Sequence, residues 1–137
     1  MHEQTIIIAD DHPLFRDALR QAVTGMEGHP DIVEAGDFAA ARKSVGEHPD
    51  AALMLLDLAM PGVSGFSGLM ALRSEFAGLP IVIVSASDDA TTIRRSLELG
   101  ASGFISKSAG IDDIRHGIQT VLAGDIATPH SDRDGQD

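Results

Sequence analysis

The fold of this chain is decided by one stretch, Ala51-Ala52-Leu53-Met54-Leu55-Leu56-Asp57-Leu58-Ala59-Met60-Pro61-Gly62. It is a continuous apolar run that holds a single carboxylate and ends in a Pro-Gly turn. Such a run is typical of a strand buried on both faces of a parallel sheet. At the carboxyl end of that strand, Asp57 would reach the crevice where open parallel sheets bind ligands. Asp57 is therefore either a reactive group or an ordinary strand-ending residue.

Four other apolar segments predict strands, and segments with helical spacing of apolar residues alternate with them. The other strands are expected over residues 5–9, 31–35, 81–84 and 103–105. Helices are expected from Pro13 onward, over 38–45 with an end at Gly46, over 66–76, from Ala90 to Gly100, and from Ile111 to Gly124. Five strands alternating with five helices predict an α/β fold in which helices cover both faces of a parallel sheet.

Length and composition exclude several classes of protein. The 137 residues suffice for one domain, and no apolar run approaches the ~20 residues that span a bilayer. The absence of cysteine excludes disulfides and thiol chemistry. A net charge of −11 disfavours nucleic acid and anionic membranes as partners of this chain alone. The six scattered histidines are interpreted as solvated side chains, and the absence of a secretory pattern predicts a cytoplasmic domain.

Polar groups follow four of the five predicted strands. They are Asp10 and Asp11, Asp57, Ser85 and Lys107. Each is unremarkable when taken alone, since aspartate and serine at strand ends are common turn residues. Because the carboxyl ends of parallel strands lie at one edge of the sheet, we expect all five side chains to converge in one crevice.

The chemistry of such a cluster is restrictive. Carboxylates 4 Å apart repel by about 4 kcal/mol per pair at an effective dielectric of ~20, so they share protons or bind a cation. Oxygen ligands alone favour a hard cation, and Mg²⁺ fits because it keeps waters and a phosphate oxygen. With Lys107 as a point charge and Ser85 as a hydroxyl donor, the set predicts a phosphoryl-transfer site with Asp57 as the acceptor.

With these motifs the sequence resembles the receiver domains of two-component response regulators over residues 5–124. The resemblance is carried by Asp10-Asp11, Leu56-Asp57-Leu58-Ala59-Met60-Pro61-Gly62, Ser85-Ala86 and Gly103-Phe104-Ile105-Ser106-Lys107. It implies a flavodoxin-like (βα)5 doubly wound five-stranded sheet of order 2-1-3-4-5. We expect a receiver domain over residues 1–124 and a flexible tail or shortened linker over 125–137.

The resemblance also implies a role for each site residue. Asp57 would accept the phosphoryl group from a sensor histidine kinase, and Lys107 would contact that group. The Mg²⁺ ligands would be Asp10, Asp11, Asp57 and the backbone carbonyl of Ala59. Ser85 would be the switch hydroxyl, and Phe104 the aromatic side chain that follows it. Two positions depart from common receiver patterns, since Ser108 replaces a frequent proline and Ala59 lies beside the expected path of an attacking water.

The run from Asp10 to Arg16 and the loop from Met60 to Gly65 are most similar to the NarL/LuxR subfamily. Members usually carry a C-terminal helix-turn-helix domain, so we expect a transcriptional output in a longer protein, or a stand-alone single-domain regulator. A phosphorylation-dependent homodimer is expected, and the domain would be a switch rather than an enzyme. The alternatives are a Mg²⁺-dependent small-molecule phosphohydrolase and a receiver that serves only as an interaction module.

Overall fold

The apolar runs form five parallel strands in this computed structural model, which describes residues 4–129. The strands are β1 Thr5–Ala9, β2 Asp31–Ala35, β3 Leu53–Asp57, β4 Ile81–Ser85 and β5 Gly103–Ser106. They pair in the order β2-β1-β3-β4-β5, and every pairing is parallel. The predicted fold class and strand order are confirmed, and β3 is the central strand.

The five helices begin where the sequence supplies suitable first-turn residues. They are α1 Pro13–Thr24, α2 Phe38–Glu47, α3 Ser67–Glu75, α4 Ala90–Glu98 and α5 Ile111–Leu122. Pro13 occupies the first turn of α1, where its missing N–H leaves no bond unmade. Asp37 and Asp89 cap α2 and α4 by accepting hydrogen bonds from backbone N–H groups. None of these helices is long and apolar enough to cross a membrane.

Two apolar clusters lie on opposite faces of the sheet, because successive strand residues point to opposite sides. Ile6, Ile8, Leu53 and Leu55 pack with α1 and α5. Residues between them, such as Met54, face α2, α3 and α4. Burial on both faces explains why β3 and β4 are continuous apolar runs rather than alternating ones.

The end of α2 differs from the sequence prediction. Gly46 was expected to close this helix, but the helix continues through it to Glu47, and His48 is the cap residue. Pro49 supplies the physical reason, because a proline disfavours helical backbone in the residue before it. His48 accordingly leaves the helical region, with φ −130° and ψ 66°.

Residues 125–129 continue along the domain past the predicted boundary at Gly124. Ala127 forms a parallel bridge with Gly103, and its carbonyl accepts a hydrogen bond from the Phe104 N–H at 2.8 Å. Its side chain is buried in the cluster beneath α5. The described part of the expected tail therefore covers the outer edge of β5, while residues 130–137 lie outside the described range.

Candidate functional site

The predicted site residues meet at the carboxyl edge of the sheet. Asp57 is the last residue of β3 and Ser85 the last of β4, while Asp10 and Lys107 directly follow β1 and β5. A cleft of about 340 Å³ opens at this edge, lined by His12, Leu14, Phe15, Asp57, Ala59, Ser85, Ala86, Ser87 and Lys107. The convergence follows from the parallel topology, which brings residues up to 97 positions apart in the chain to one edge.

Asp57 is a buried carboxylate held from two sides. Its side chain is 1% exposed. Its Oδ1 accepts a hydrogen bond from the Ala59 N–H at 2.9 Å, and its Oδ2 accepts one from the Lys107 ammonium at 3.0 Å. Hydrogen bonds from charged donors are the stronger kind, so Lys107 fixes the position of the carboxylate.

Asp10 is fully buried beside Asp57. Its Oδ1 accepts a hydrogen bond from the His12 N–H at 2.7 Å, and the Lys107 ammonium lies 3.2 Å from its Oδ2. Burial is the main cause that raises the pKa of Asp10, and the charge of Asp57 adds to it. The His12 N–H and Lys107 act in the opposite direction. The buried Asp10 carboxyl is therefore harder to ionise than a carboxyl in water, and added positive charge nearby would favour its ionised form.

The donor atoms at this edge fit a hard cation. One oxygen each of Asp10, Asp11 and Asp57 lies within 4.8 Å of the others, in a group that also includes a His12 nitrogen. Asp11 Oδ1 is buried and accepts no hydrogen bond, and the buried Asp10 Oδ2 has the Lys107 ammonium 3.2 Å away. Buried carboxylate oxygens without donors are suitable ligands for Mg²⁺, which prefers oxygen.

Ser85 and Phe104 lie on the side of the site nearest β5. Ser85 is buried, its Oγ accepts a hydrogen bond from the Ser87 N–H at 3.0 Å, and its carbonyl accepts one from the Lys107 N–H at 2.9 Å. Phe104 is 1% exposed and packs in the cluster that includes Ile93 of α4. The backbone bond between Ser85 and Lys107 thus joins the ends of β4 and β5 directly.

His12 is a member of the cluster that sequence reasoning missed. Its Nδ1 lies 3.0 Å from the Lys107 Nζ, 3.2 Å from Asp11 Oδ1 and 3.5 Å from Asp57 Oδ2. Because no second histidine stands at ligand spacing, the sequence favoured a solvated side chain. The available signal was its position directly after Asp10-Asp11, which brings the ring to the same edge.

A second link missed from the sequence joins β5 to the loop before α4. The Ser106 hydroxyl donates to Asp88 Oδ2 at 2.8 Å and accepts a hydrogen bond from the Ser108 N–H at 3.1 Å. The neighbouring Asp89, and not Asp88, accepts the capping bonds from Thr92 at the start of α4. The residue after Lys107 therefore takes part in a polar turn.

Comparison with known proteins places these features in a family. The model of the response regulator receiver domain matches residues 6–119. The glycerol metabolism activator of Pseudomonas putida is 41% identical over 126 residues, an alignment that covers 90% of this chain and 56% of the relative. The transcriptional regulatory protein NarL of Mycobacterium tuberculosis is 34% identical over 127 residues, covering 90% and 57%. The chain thus spans little more than half the length of these relatives.

Solved structures agree with the sequence relatives. The signal receiver domain of the response regulator NarL from Mycobacterium tuberculosis superposes with a TM-score of 0.79 at 30% identity, covering 90% of this chain and 99% of that domain. A LuxR-family two-component response regulator from Aurantimonas sp. SI85-9A1 superposes with a TM-score of 0.82 at 26% identity, covering 92% and 89%.

Proposed function

Because this chain belongs to the response regulator receiver domain family, with NarL/LuxR-type relatives, we propose that it is a phosphorylation switch with Asp57 as phosphoacceptor. One observation carries the proposal. The buried Asp57 carboxylate lies 3.0 Å from the Lys107 ammonium at the floor of an open cleft, with two further carboxylates beside it. A receiver domain is a signalling switch, and this arrangement suits a single covalent transfer.

The proposed donor is a phosphohistidine on a sensor histidine kinase. A carboxylate oxygen of Asp57 attacks the phosphorus, the new O–P bond forms as the P–N bond breaks, and the leaving imidazole nitrogen takes up a proton. Lys107 already contacts Asp57 Oδ2, so its ammonium is positioned to neutralise charge on the transferred group. The open cleft gives the kinase's histidine access to the carboxylate.

Mg²⁺ fits the donor set, and we propose that Asp10, Asp11, Asp57 and the Ala59 carbonyl hold it. Bound there, the ion would neutralise the carboxylates and the phosphoryl oxygens. The buried Asp11 Oδ1, which accepts no hydrogen bond, supports this assignment. The Ala59 N–H already holds Asp57 Oδ1, which keeps the backbone of this residue next to the acceptor.

We propose that Ser85 and Phe104 transmit the modification. Ser85 Oγ would turn toward the phosphoryl group, which requires it to leave the Ser87 N–H. Phe104 would then adjust beneath α4, since both its ring and Ile93 belong to one packed cluster. The Ser85–Lys107 backbone bond supports concerted movement of the ends of β4 and β5.

The partners proposed for this domain follow from the family. They are a sensor histidine kinase in the cytoplasm and a second copy of the domain after phosphorylation. The two named relatives are an activator and a transcriptional regulatory protein, so we propose a helix-turn-helix transcriptional output for the longer protein. The stand-alone regulator stays the alternative arrangement.

The test is phosphorylation by acetyl phosphate with Mg²⁺, followed by intact mass. The wild type should gain one phosphoryl group, and Asp57→Asn should gain none because it lacks the acceptor oxygen. Asp50→Asn is the matched control, since Asp50 is an exposed carboxylate outside the cleft, and it should behave as the wild type. Labelling of Asp57→Asn equal to that of the wild type would refute the assignment. Sustained hydrolysis of a phosphomonoester would favour the phosphohydrolase alternative.

A further inference from the structure

His12 adds a nitrogen to a group of atoms that otherwise consists of carboxylate oxygens. We propose that His12 Nδ1 is a ligand of the cation site and that it raises the site's affinity for borderline divalent transition metals such as Co²⁺ or Zn²⁺ relative to Mg²⁺. The inference rests on the cation site of the proposed function. It assigns to that site a fourth side-chain ligand and a different metal preference.

The spacing of the atoms supports the assignment. Neighbouring ligands at about 2.1 Å from one octahedral ion lie about 3.0 Å apart, and opposite ligands about 4.2 Å apart. His12 Nδ1 lies 3.2 Å from Asp11 Oδ1 and 3.5 Å from Asp10 Oδ1. All four candidate ligand atoms lie within 4.8 Å of one another. The nitrogen therefore stands at the distance of a ligand in the same shell as the carboxylates.

The hydrogen bond with Lys107 shows which way the lone pair of the ring points. An ammonium group only donates, so in this contact at 3.0 Å the His12 Nδ1 is the acceptor. A metal ion bound by His12 Nδ1 would use this lone pair and so would replace the contact with Lys107. Lys107 Nζ also lies 3.0 Å from Asp57 and 3.2 Å from Asp10, so this ammonium shares its partners with the expected cation.

One buried oxygen supplies an independent sign of a ligand at this place. Asp11 Oδ1, the carboxylate atom nearest to His12 Nδ1, is buried and accepts no hydrogen bond. Asp10 beside it is fully buried, and its Oδ2 has the Lys107 ammonium 3.2 Å away. Orphaned buried acceptors are rare in proteins, and a cation bound here would satisfy Asp11 Oδ1.

The identity of the added atom determines the expected preference. Carboxylate and carbonyl oxygens suit Mg²⁺, whereas imidazole nitrogen suits zinc, copper and nickel, and generally strengthens binding of later first-row metals. Removing His12 should therefore weaken transition-metal binding much more than Mg²⁺ binding. If only oxygen atoms bound the metal, removing His12 would not change the affinity for transition metals more than the affinity for Mg²⁺.

The experiment measures metal affinity in the intact chain by calorimetry, with Co²⁺ absorption in the visible as a second readout. The wild type is compared with His12→Gln and with the matched control His116→Gln, an exposed histidine on α5 that does not line the cleft. His12→Gln should lower the Co²⁺ affinity about tenfold or more, the scale seen when groups around a metal site are lost. The Mg²⁺ affinity should change by less than about twofold, and His116→Gln should change neither.

Equal Co²⁺ affinities for the wild type and His12→Gln, with identical Co²⁺ spectra, would overturn the inference. An equal loss of Co²⁺ and Mg²⁺ affinity would do the same, because it would indicate a general effect of charge or folding; thermal unfolding of each variant without metal identifies a folding defect. If the wild type binds Mg²⁺ and is phosphorylated, but its Co²⁺ affinity does not change when His12 is replaced, only this inference is refuted. A wild type that binds neither metal refutes the proposed cation site itself.

Discussion

At the carboxyl edge of the sheet, the carboxylates of Asp10 and Asp57 repel each other. Asp10 and Asp57 are both buried, and Lys107 is the one described cation that contacts both of them. A carboxylate without enough positive charge around it lowers the stability of the fold, because burial disfavours the charged form. The buried carboxylates therefore lower the stability of the fold, and a bound cation or a phosphoryl group can change the size of this effect.

We expect Asp10→Asn to stabilise the protein when divalent metals are removed with EDTA. The amide keeps an oxygen for the His12 N–H and removes the charge that repels Asp57. A gain of about 1 kcal/mol corresponds to a melting temperature higher by roughly 4 °C. Thermal unfolding measures it, with Asp50→Asn as an exposed control that should not shift.

Added Mg²⁺ should raise the melting temperature of the wild type more than that of Asp10→Asn. A ligand that binds the native state stabilises it, and Asp10→Asn lacks the charge of one proposed Mg²⁺ ligand. A lower melting temperature of Asp10→Asn in EDTA would show that Lys107 overcompensates the repulsion, and the charge balance described above would be wrong.

The residue scale also shows what the sequence could and could not predict. The meeting of Asp57 with Lys107 was predictable, because both follow apolar strands and parallel strands share one edge. The place of His12 was not, since it depends on the rotamer of a side chain that is 59% exposed. The Ser106–Asp88 bond was not predictable either, because it depends on the conformation of the loop between β4 and α4 that holds Asp88.

At the scale of the elements, the side chain of Asp89 caps the first turn of α4. Asp89 accepts hydrogen bonds from the Thr92 hydroxyl at 2.7 Å and from the Thr92 N–H at 3.1 Å. These bonds, the side-chain one first, lower the pKa of Asp89 below its usual value of 3.8. A lowered carboxylate pKa means that the charged cap stabilises the fold above pH 3.8 and loses this effect as the pH falls through the lower, folded-state value.

Asp89→Ala should therefore unfold at a lower urea concentration than the wild type at pH 7, with a difference that shrinks as the pH falls below 3.8. Urea unfolding at both pH values measures it. Asp89→Asn is the matched variant, since asparagine also caps helices, and it should recover most of the loss at pH 7. A difference that stays constant with pH would contradict a role for the carboxylate charge.

Element boundaries were predictable where a residue acts locally. Pro13 at the start of α1 and Gly100 after α4 lie where the sequence indicated, and Gly100 has the positive φ of 104° that glycine accepts readily. The helix end predicted at Gly46 was wrong, because glycine permits a helix to end without requiring it. The proline three residues later had the stronger effect.

At the scale of the whole molecule, the order of the strands determines which side chains lie next to one another in the site. β3 lies between β1 and β4, so Asp57 has Asp10 on one side and Ser85 on the other. The packing of residues 125–129 beside β5 was not predictable, because that segment is short and has no periodicity. Ala127 is buried there, and its bridge to Gly103 covers an edge of β5 that no other strand of the sheet pairs with.

The central claim is that one carboxylate of this chain, Asp57, carries the phosphoryl group. The most direct measurement is reduction of the phosphorylated protein with borohydride, which converts an aspartyl phosphate to homoserine, followed by peptide mass mapping. The account predicts homoserine at position 57 alone, formed only when Mg²⁺ is present, and unmodified aspartate at positions 10 and 11. Homoserine at another aspartate, with position 57 unchanged, would contradict it.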